Sequence, residues 1–175
     1  MKKICVVLLF VAASAFAQTF PMMTQLPTGA PALAASNSYS SSFSFVVAGD
    51  NRPAHDGDPL TTPLLDIVKQ LAATPPAFVV WGGDTVYGKQ DIGIDAQYAQ
   101  FLAAFKPVTV PVFNAPGNHE MVVRTMVACG TASDPYNGEL PDFSGSMMAS
   151  YKQSMAPPYG MFRYGNAAFL IGCTG

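Results

Sequence analysis

Charged residues are scarce in this chain, at 11% of the total, against about 25% in an ordinary soluble domain. No lysine or arginine run and no basic patch occurs, which argues against binding to a nucleic-acid backbone. Histidine is scarcer still, with two in 175 residues, a shortage that bears on any metal site. Three cysteines, Cys5, Cys129 and Cys173, are too few for a disulfide framework. No Gly-x-Ser-x-Gly elbow and no Gly-rich phosphate loop with Lys and Ser/Thr is present, which removes two common routes to hydrolase and nucleotide chemistry. Hydrophobic residues, by contrast, make up half of the chain and are spread along it, so wholesale disorder is excluded. The length suits about one domain.

The N-terminus reads as an address label. Met1-Lys2-Lys3 is a short basic head, an apolar run follows, and Ala15-Phe16-Ala17 places small residues just before Gln18. That is the three-part secretory pattern. The competing reading is a membrane anchor, but the apolar run ends after roughly 14 residues, short of the ~20 that span a bilayer. Residues 1–17 are therefore expected to be a cleaved signal peptide, with no stable membrane anchor left afterwards. Without them the chain keeps seven basic residues against eleven acidic ones, a net charge of −4. Cys5 leaves with the leader. Cys129 and Cys173 then face an oxidising compartment, where they either pair or pack as two small buried residues.

Residues 18–42 are rich in Pro, Ser, Ala and Thr without hydrophobic periodicity, and are expected to form a flexible leader. From residue 43 the chain alternates. Residues 43–48, 77–81 and 108–113 are short apolar runs of strand character. Residues 60–73 carry Leu64, Leu65, Ile67, Val68 and Leu71 at helical spacing and stop at Pro75-Pro76. Residues 91–105 carry Tyr98, Phe101, Leu102 and Phe105, and Pro107 closes them. The order is β-α-β-α-β, an α/β pattern that predicts a parallel sheet covered on both faces. Beyond Glu120 a helix over 147–155 and a hairpin over 159–172, turning at Gly165-Asn166, complete the pattern.

Chemistry gathers at the strand ends. Asp50, Asp84 and Asn118 each follow an apolar run, at intervals of 34 residues. Neighbouring parallel strands lie about 4.8 Å apart, and right-handed crossovers bring their carboxyl ends to one edge. Open α/β sheets bind ligands in that crevice. Gly49, Gly83 and Gly117 beside these residues permit tight turns. Two carboxylates held so close repel unless a proton or cation lies between them, and oxygen plus imidazole donors suit Zn, Mn or Fe.

The strings Phe45-Val46-Val47-Ala48-Gly49-Asp50-Asn51-Arg52, Gly82-Gly83-Asp84-Thr85-Val86-Tyr87 and Gly117-Asn118-His119-Glu120 resemble the first three motifs of the calcineurin-like metallophosphoesterases. The last string is expected by chance on the order of once in a thousand chains of this length. The resemblance covers residues 43–175. It implies a four-layer α/β/β/α sandwich and two metal ions, divalent or trivalent Fe, Mn or Zn. Asp50 would bind the first ion, Asp84 would bridge both, and Asn118 would bind the second. His119 would act on the leaving-group oxygen or stabilise the transferring phosphoryl, oriented by Glu120. The implied reaction is hydrolysis of a small-molecule phosphomonoester or phosphodiester by a metal-bound hydroxide, in a periplasmic or secreted protein.

Two departures qualify the resemblance. The first motif is usually Asp-x-His, and here Arg52 stands in the third position. A guanidinium has no lone pair for a metal, but it can hold a phosphate in a bidentate fork; the competing reading pairs it with Asp56 or Asp58. His55 is a weak substitute ligand. Tyr87, three residues after Asp84, is similar to the Gly-Asp-x-x-Tyr motif of purple acid phosphatases, where the tyrosine binds ferric iron; ordinary packing is its other reading. The second departure is that the family draws further ligands from a later lone histidine and a Gly-His-x-His motif, whereas no histidine follows His119. The chain is therefore expected to be the N-terminal portion of a longer domain, inactive by itself. The alternative is a catalytically incomplete exported domain of the same fold that binds a phosphorylated ligand or is structural.

Overall fold

A computed structural model of the protein describes residues 9–10, 21–33, 42–55, 57–88, 93–124, 139–141 and 146–172. Its elements run β1 (Leu9–Phe10), β2 (Val46–Ala48), α1 (Thr62–Ala73), β3 (Val79–Trp81), α2 (Ile94–Phe105), β4 (Val112–Asn114), α3 (Asn118–Met121), β5 (Val122–Arg124), β6 (Glu139–Pro141), α4 (Ser146–Ser154), β7 (Gly160–Tyr164) and β8 (Ala167–Ile171).

The three apolar runs form a parallel sheet in the order β2-β3-β4. Helix α1 crosses from β2 to β3, and α2 from β3 to β4, as the alternating pattern predicts. Thr61 caps α1, its hydroxyl accepting from the Leu64 amide at 3.4 Å, with proline in the first helical turn, where no amide partner is lost. Leu64, Val68 and Leu71 of α1 and Tyr98, Phe101 and Phe105 of α2 are the buried stripes.

Strand alternation splits the core in two. Val79, Trp81 and Val112 point to the helices α1, α2 and α4. Phe78, Val80 and Phe113 point the other way, to a second layer containing Phe162 and Phe169. That layer is the β7–β8 hairpin, antiparallel with Tyr164 opposite Ala167 and turning at Gly165, whose φ is 57°. Phe113 stacks on Phe162 at 3.7 Å between ring centroids, and Phe78 meets Phe169 edge-on at 4.9 Å. Such pairs add about 0.5–1.5 kcal/mol each beyond the area they bury. The result is helix, sheet, sheet: an incomplete metallophosphoesterase-type sandwich, in which the parallel sheet's second face is covered by another sheet.

Part of the expected leader is not loose. In residues 21–33, Leu26 is fully buried and Met23 nearly so. The Leu26 amide donates to the Val112 carbonyl at 2.7 Å, and the Met23 amide to the Met161 carbonyl at 2.9 Å. Two apolar side chains in a Pro/Ser/Thr-rich stretch show no period, so only their long-range partners reveal them. Within the expected signal peptide, Leu9 and Phe10 pair antiparallel with Phe169 and Ala168 of β8. Secretory apolar runs and sheet strands share a composition, so the same residues fit either pattern. The β5–β6 pair has no counterpart in the sequence pattern. Cys5, Cys129, Cys173 and Asp56 lie outside the described residues.

Candidate metal centre

Ala48, Trp81 and Asn114 stand in register across the parallel sheet, so the three strands end level. Asp50, Asp84 and Asn118 follow these positions by two, three and four residues. All three therefore leave from one edge. The loops are tied to one another: the Gly82 amide donates to the Ala48 carbonyl at 2.6 Å, and the Asp50 amide to the Gly83 carbonyl at 3.0 Å. Asp50 and Asp84 both sit in the left-handed region, with φ of 58° and 50°, a conformation that costs a non-glycine residue on the order of 1 kcal/mol or more. Gly83 shares it, at φ 82°, and a Cβ there would run into the Gly117 backbone. A Cβ on Gly117 would in turn strike the Asp84 carboxylate. Both glycines are thus required by close approach.

Burial pushes the Asp84 carboxyl above its ordinary range, and the Asp50 charge adds to the rise. His119 and Arg52 pull the other way, His119 by charge and by its amide, which donates to Asp84 Oδ1 at 3.2 Å. A buried carboxyl whose ionisation a neighbouring acid makes costlier suits an added cation. The donors at this edge are two carboxylates, the Asn118 amide and the Tyr87 phenol, an oxygen set that fits hard or borderline cations. Among the described residues no cluster of three or more His, Cys, Asp and Glu side chains occurs.

His119 is 6% exposed. Its Nδ1 lies 2.7 Å from the Tyr87 carbonyl. A carbonyl only accepts, so Nδ1 carries the hydrogen, and Nε2 is the nitrogen whose protonation can change. The resemblance implies that Glu120 orients His119; in the structure its carboxylate is engaged by the loops on either side. Glu120 is fully buried. Its Oε2 accepts from the Asp84 amide at 3.0 Å and the Gly117 amide at 2.7 Å. Its Oε1 accepts from the Thr85 amide and the Thr85 hydroxyl, both at 2.6 Å. Burial and the Asp84 charge push its carboxyl upward, while these four donors favour the carboxylate. Glu120 thus clamps the loop after β3 to the loop after β4.

Arg52 does not pair with Asp58, and Asp56 lies outside the described residues. Its Nη1 donates to the Pro53 carbonyl at 3.0 Å, and its guanidinium lies 5.7 Å from the centre of the Tyr87 ring, within cation–π range. Asp58 instead pairs with His55 at 3.1 Å. His55 is 78% exposed and stands 6.4 Å from Tyr87, ring to ring, the same separation as Tyr87 from His119. The sequence pattern misses two supports. Thr85 binds the clamp, and Gln97 of α2 accepts from the Tyr87 and Gly88 amides at 2.9 and 3.3 Å. A threonine inside a Gly-Asp-x-x-Tyr string marks the first weakly; nothing local marks the second.

Residues 43–169 match the family model of the calcineurin-like phosphoesterase domain. Comparisons with curated proteins and with solved structures gave no match. The matched span contains the parallel sheet, its acidic edge and most of the facing hairpin, and it covers well over half of the sequence. On that match the chain belongs to the calcineurin-like phosphoesterases, a family of metal-dependent phosphate-ester hydrolases.

Proposed function

We propose that the protein is an exported hydrolase of phosphomonoesters or phosphodiesters that works with two metal ions at the β2–β3–β4 edge. The single observation that supports this reading is the level ending of the three strands, so that the segments carrying Asp50, Asp84 and Asn118 leave from one edge of the sheet. Asp50, Asp84, Asn118 and Tyr87 would hold the ions, and Fe, Mn and Zn all suit these donors. When bound, the ions supply an activated water and neutralise phosphoryl charge.

The protein's own residues do the rest. His119, its Nδ1 committed to the Tyr87 carbonyl, delivers a proton from Nε2 to the leaving-group oxygen. Arg52, steadied by the Pro53 carbonyl and the Tyr87 ring, grips a non-bridging phosphate oxygen pair. Glu120 keeps the two loops at a fixed separation. Residues 1–17 direct export to the periplasm or the medium, and N-terminal sequencing of the exported protein should begin at Gln18.

The test is a panel of phosphate esters assayed after metal loading of the full chain in its natural reading frame. Chelation, Asp84→Asn and His119→Ala should each abolish turnover. Turnover unchanged in either variant overturns these roles. A second reading is favoured by Arg52 at the third position of the first motif: a domain that binds phosphorylated ligands without hydrolysing them. Saturable phosphate-ester binding with no turnover under any metal would select it.

A further inference from the structure

Helix α2 reaches back to the segment on which His119 rests. Phe101 and Phe105 of α2 meet the Trp81 ring of β3 edge-on, at 5.7 and 5.1 Å between centroids, and Tyr98 is fully buried. The helix is therefore seated firmly on the sheet. Gln97, beside Tyr98 and near the start of the helix, is half-buried. Its side-chain oxygen accepts from the backbone amides of Tyr87 at 2.9 Å and Gly88 at 3.3 Å. Both partners are donors, so it is the oxygen of the Gln97 amide that must face them.

The other end of the same peptide unit holds the imidazole. The Tyr87 carbonyl accepts from His119 Nδ1 at 2.7 Å, and the N–H on the far side of that peptide bond, that of Gly88, is the one bonded to Gln97. A peptide unit is planar, and no cis bond occurs among the described residues, so its C=O and N–H point in opposite directions as one rigid piece. Fixing the N–H fixes where the carbonyl aims. Donation by the N–H also polarises the carbonyl and strengthens the bond it accepts. Gly88 adds a steric reason for this course of the chain: at φ 83° it lies against the His119 backbone, and a Cβ there would run into the His119 carbonyl. Residues 87 and 88 thus touch Gln97 on one side and His119 on the other.

We propose that Gln97 is a positioning residue for His119: it holds the Gly88 amide, fixes the plane of the Tyr87–Gly88 peptide, and so aims the carbonyl that orients the imidazole. Without that acceptor the peptide is free to turn, and a misplacement of about 1 Å in a catalytic group costs on the order of a hundredfold in rate. The consequence for turnover rests on the hydrolase reading above, in which His119 Nε2 gives its proton to the leaving-group oxygen as the bond from that oxygen to phosphorus breaks. The relay of hydrogen bonds from Gln97 to His119 does not depend on that reading.

Gln97→Met tests it, because methionine keeps the length and helix preference of glutamine and offers only a weak acceptor; Gln97→Glu puts an oxygen back at the same reach. An alkyl phosphate leaves as a strongly basic alkoxide and needs the proton, whereas a nitrophenyl phosphate leaves readily without one. In the metal-loaded full chain, Gln97→Met should lower kcat for the alkyl ester by about tenfold to a hundredfold, and leave the nitrophenyl ester and both KM values within about threefold. Gln97→Glu should recover most of the loss. Equal falls for the two esters, no fall for either, or a Gln97→Glu variant as slow as Gln97→Met overturns the proposal. A second readout needs no turnover. The chain has two histidines, so nitrogen-15 labelling of histidine in the zinc-loaded protein gives two imidazoles, told apart by His119→Ala. His55 is exposed, and the slowly exchanging ring N–H should belong to His119. Gln97→Met should speed its exchange by about tenfold, and Gln97→Glu should not. No slow signal in the wild type, or unchanged exchange in Gln97→Met, overturns the relay. Faster exchange in Gln97→Met together with a wild type that hydrolyses neither ester upholds the relay and refutes the hydrolase reading.

Discussion

At the residue scale the decisive side chain is Glu120. A buried carboxylate that accepts from three backbone amides and one hydroxyl is expensive to remove, because every donor is then left bare. Glu120→Ala should lower stability by about 3 kcal/mol or more, read as a fall in the denaturant midpoint. Glu120→Gln should fall between, since its amide hydrogens face donors on one side. If Glu120 served only to orient His119, both variants would keep wild-type stability and lose turnover alone. Gly83 is the matching backbone case. With φ at 82° and the Gly117 backbone against any added Cβ, Gly83→Ala should cost more than the ~1 kcal/mol by which a strain-free glycine replacement shifts stability. It should also weaken metal binding measured by calorimetry.

At the scale of elements, the segment 21–33 behaves as a strap across the sheet rather than a free leader. Leu26 is fully buried beside Val112 and bonded to its carbonyl. Leu26→Ala should therefore destabilise by about 2–5 kcal/mol, the range for a buried leucine. A thermal or denaturant midpoint unmoved by this change would return the segment to the flexible leader that composition alone describes. Helix α1 obeys its local signals more closely, because threonine capping, an early proline and an apolar stripe all act within one or two turns.

For the whole molecule the question is whether the acidic edge binds cations before any chemistry. A ligand that binds only the folded state stabilises it by about 2.7 kcal/mol at a hundredfold excess over its Kd. Manganese or zinc should raise the melting temperature of the protein. Asp84→Asn should remove that shift, and with it the Asp50–Asp84 repulsion that makes a cation welcome. A melting temperature indifferent to every divalent ion would count against a metal centre here, whatever the assay for hydrolysis says.

Much of this was legible in the amino-acid order. Periods of two and 3.6, proline stops and strand-Gly-Asp endings are local, so the β-α-β-α-β order, and with it the departure of Asp50, Asp84 and Asn118 from one sheet edge, follow from residues close together in the chain. What Glu120 holds, where Leu26 packs, which ring Arg52 covers and which strand Leu9–Phe10 joins were settled only by folding. Glu120 reaches Thr85 across 35 positions, and Leu26 reaches Val112 from the far side of two helices. Such partners are selected by burial and close packing in three dimensions, and these leave no periodic mark on the neighbouring residues.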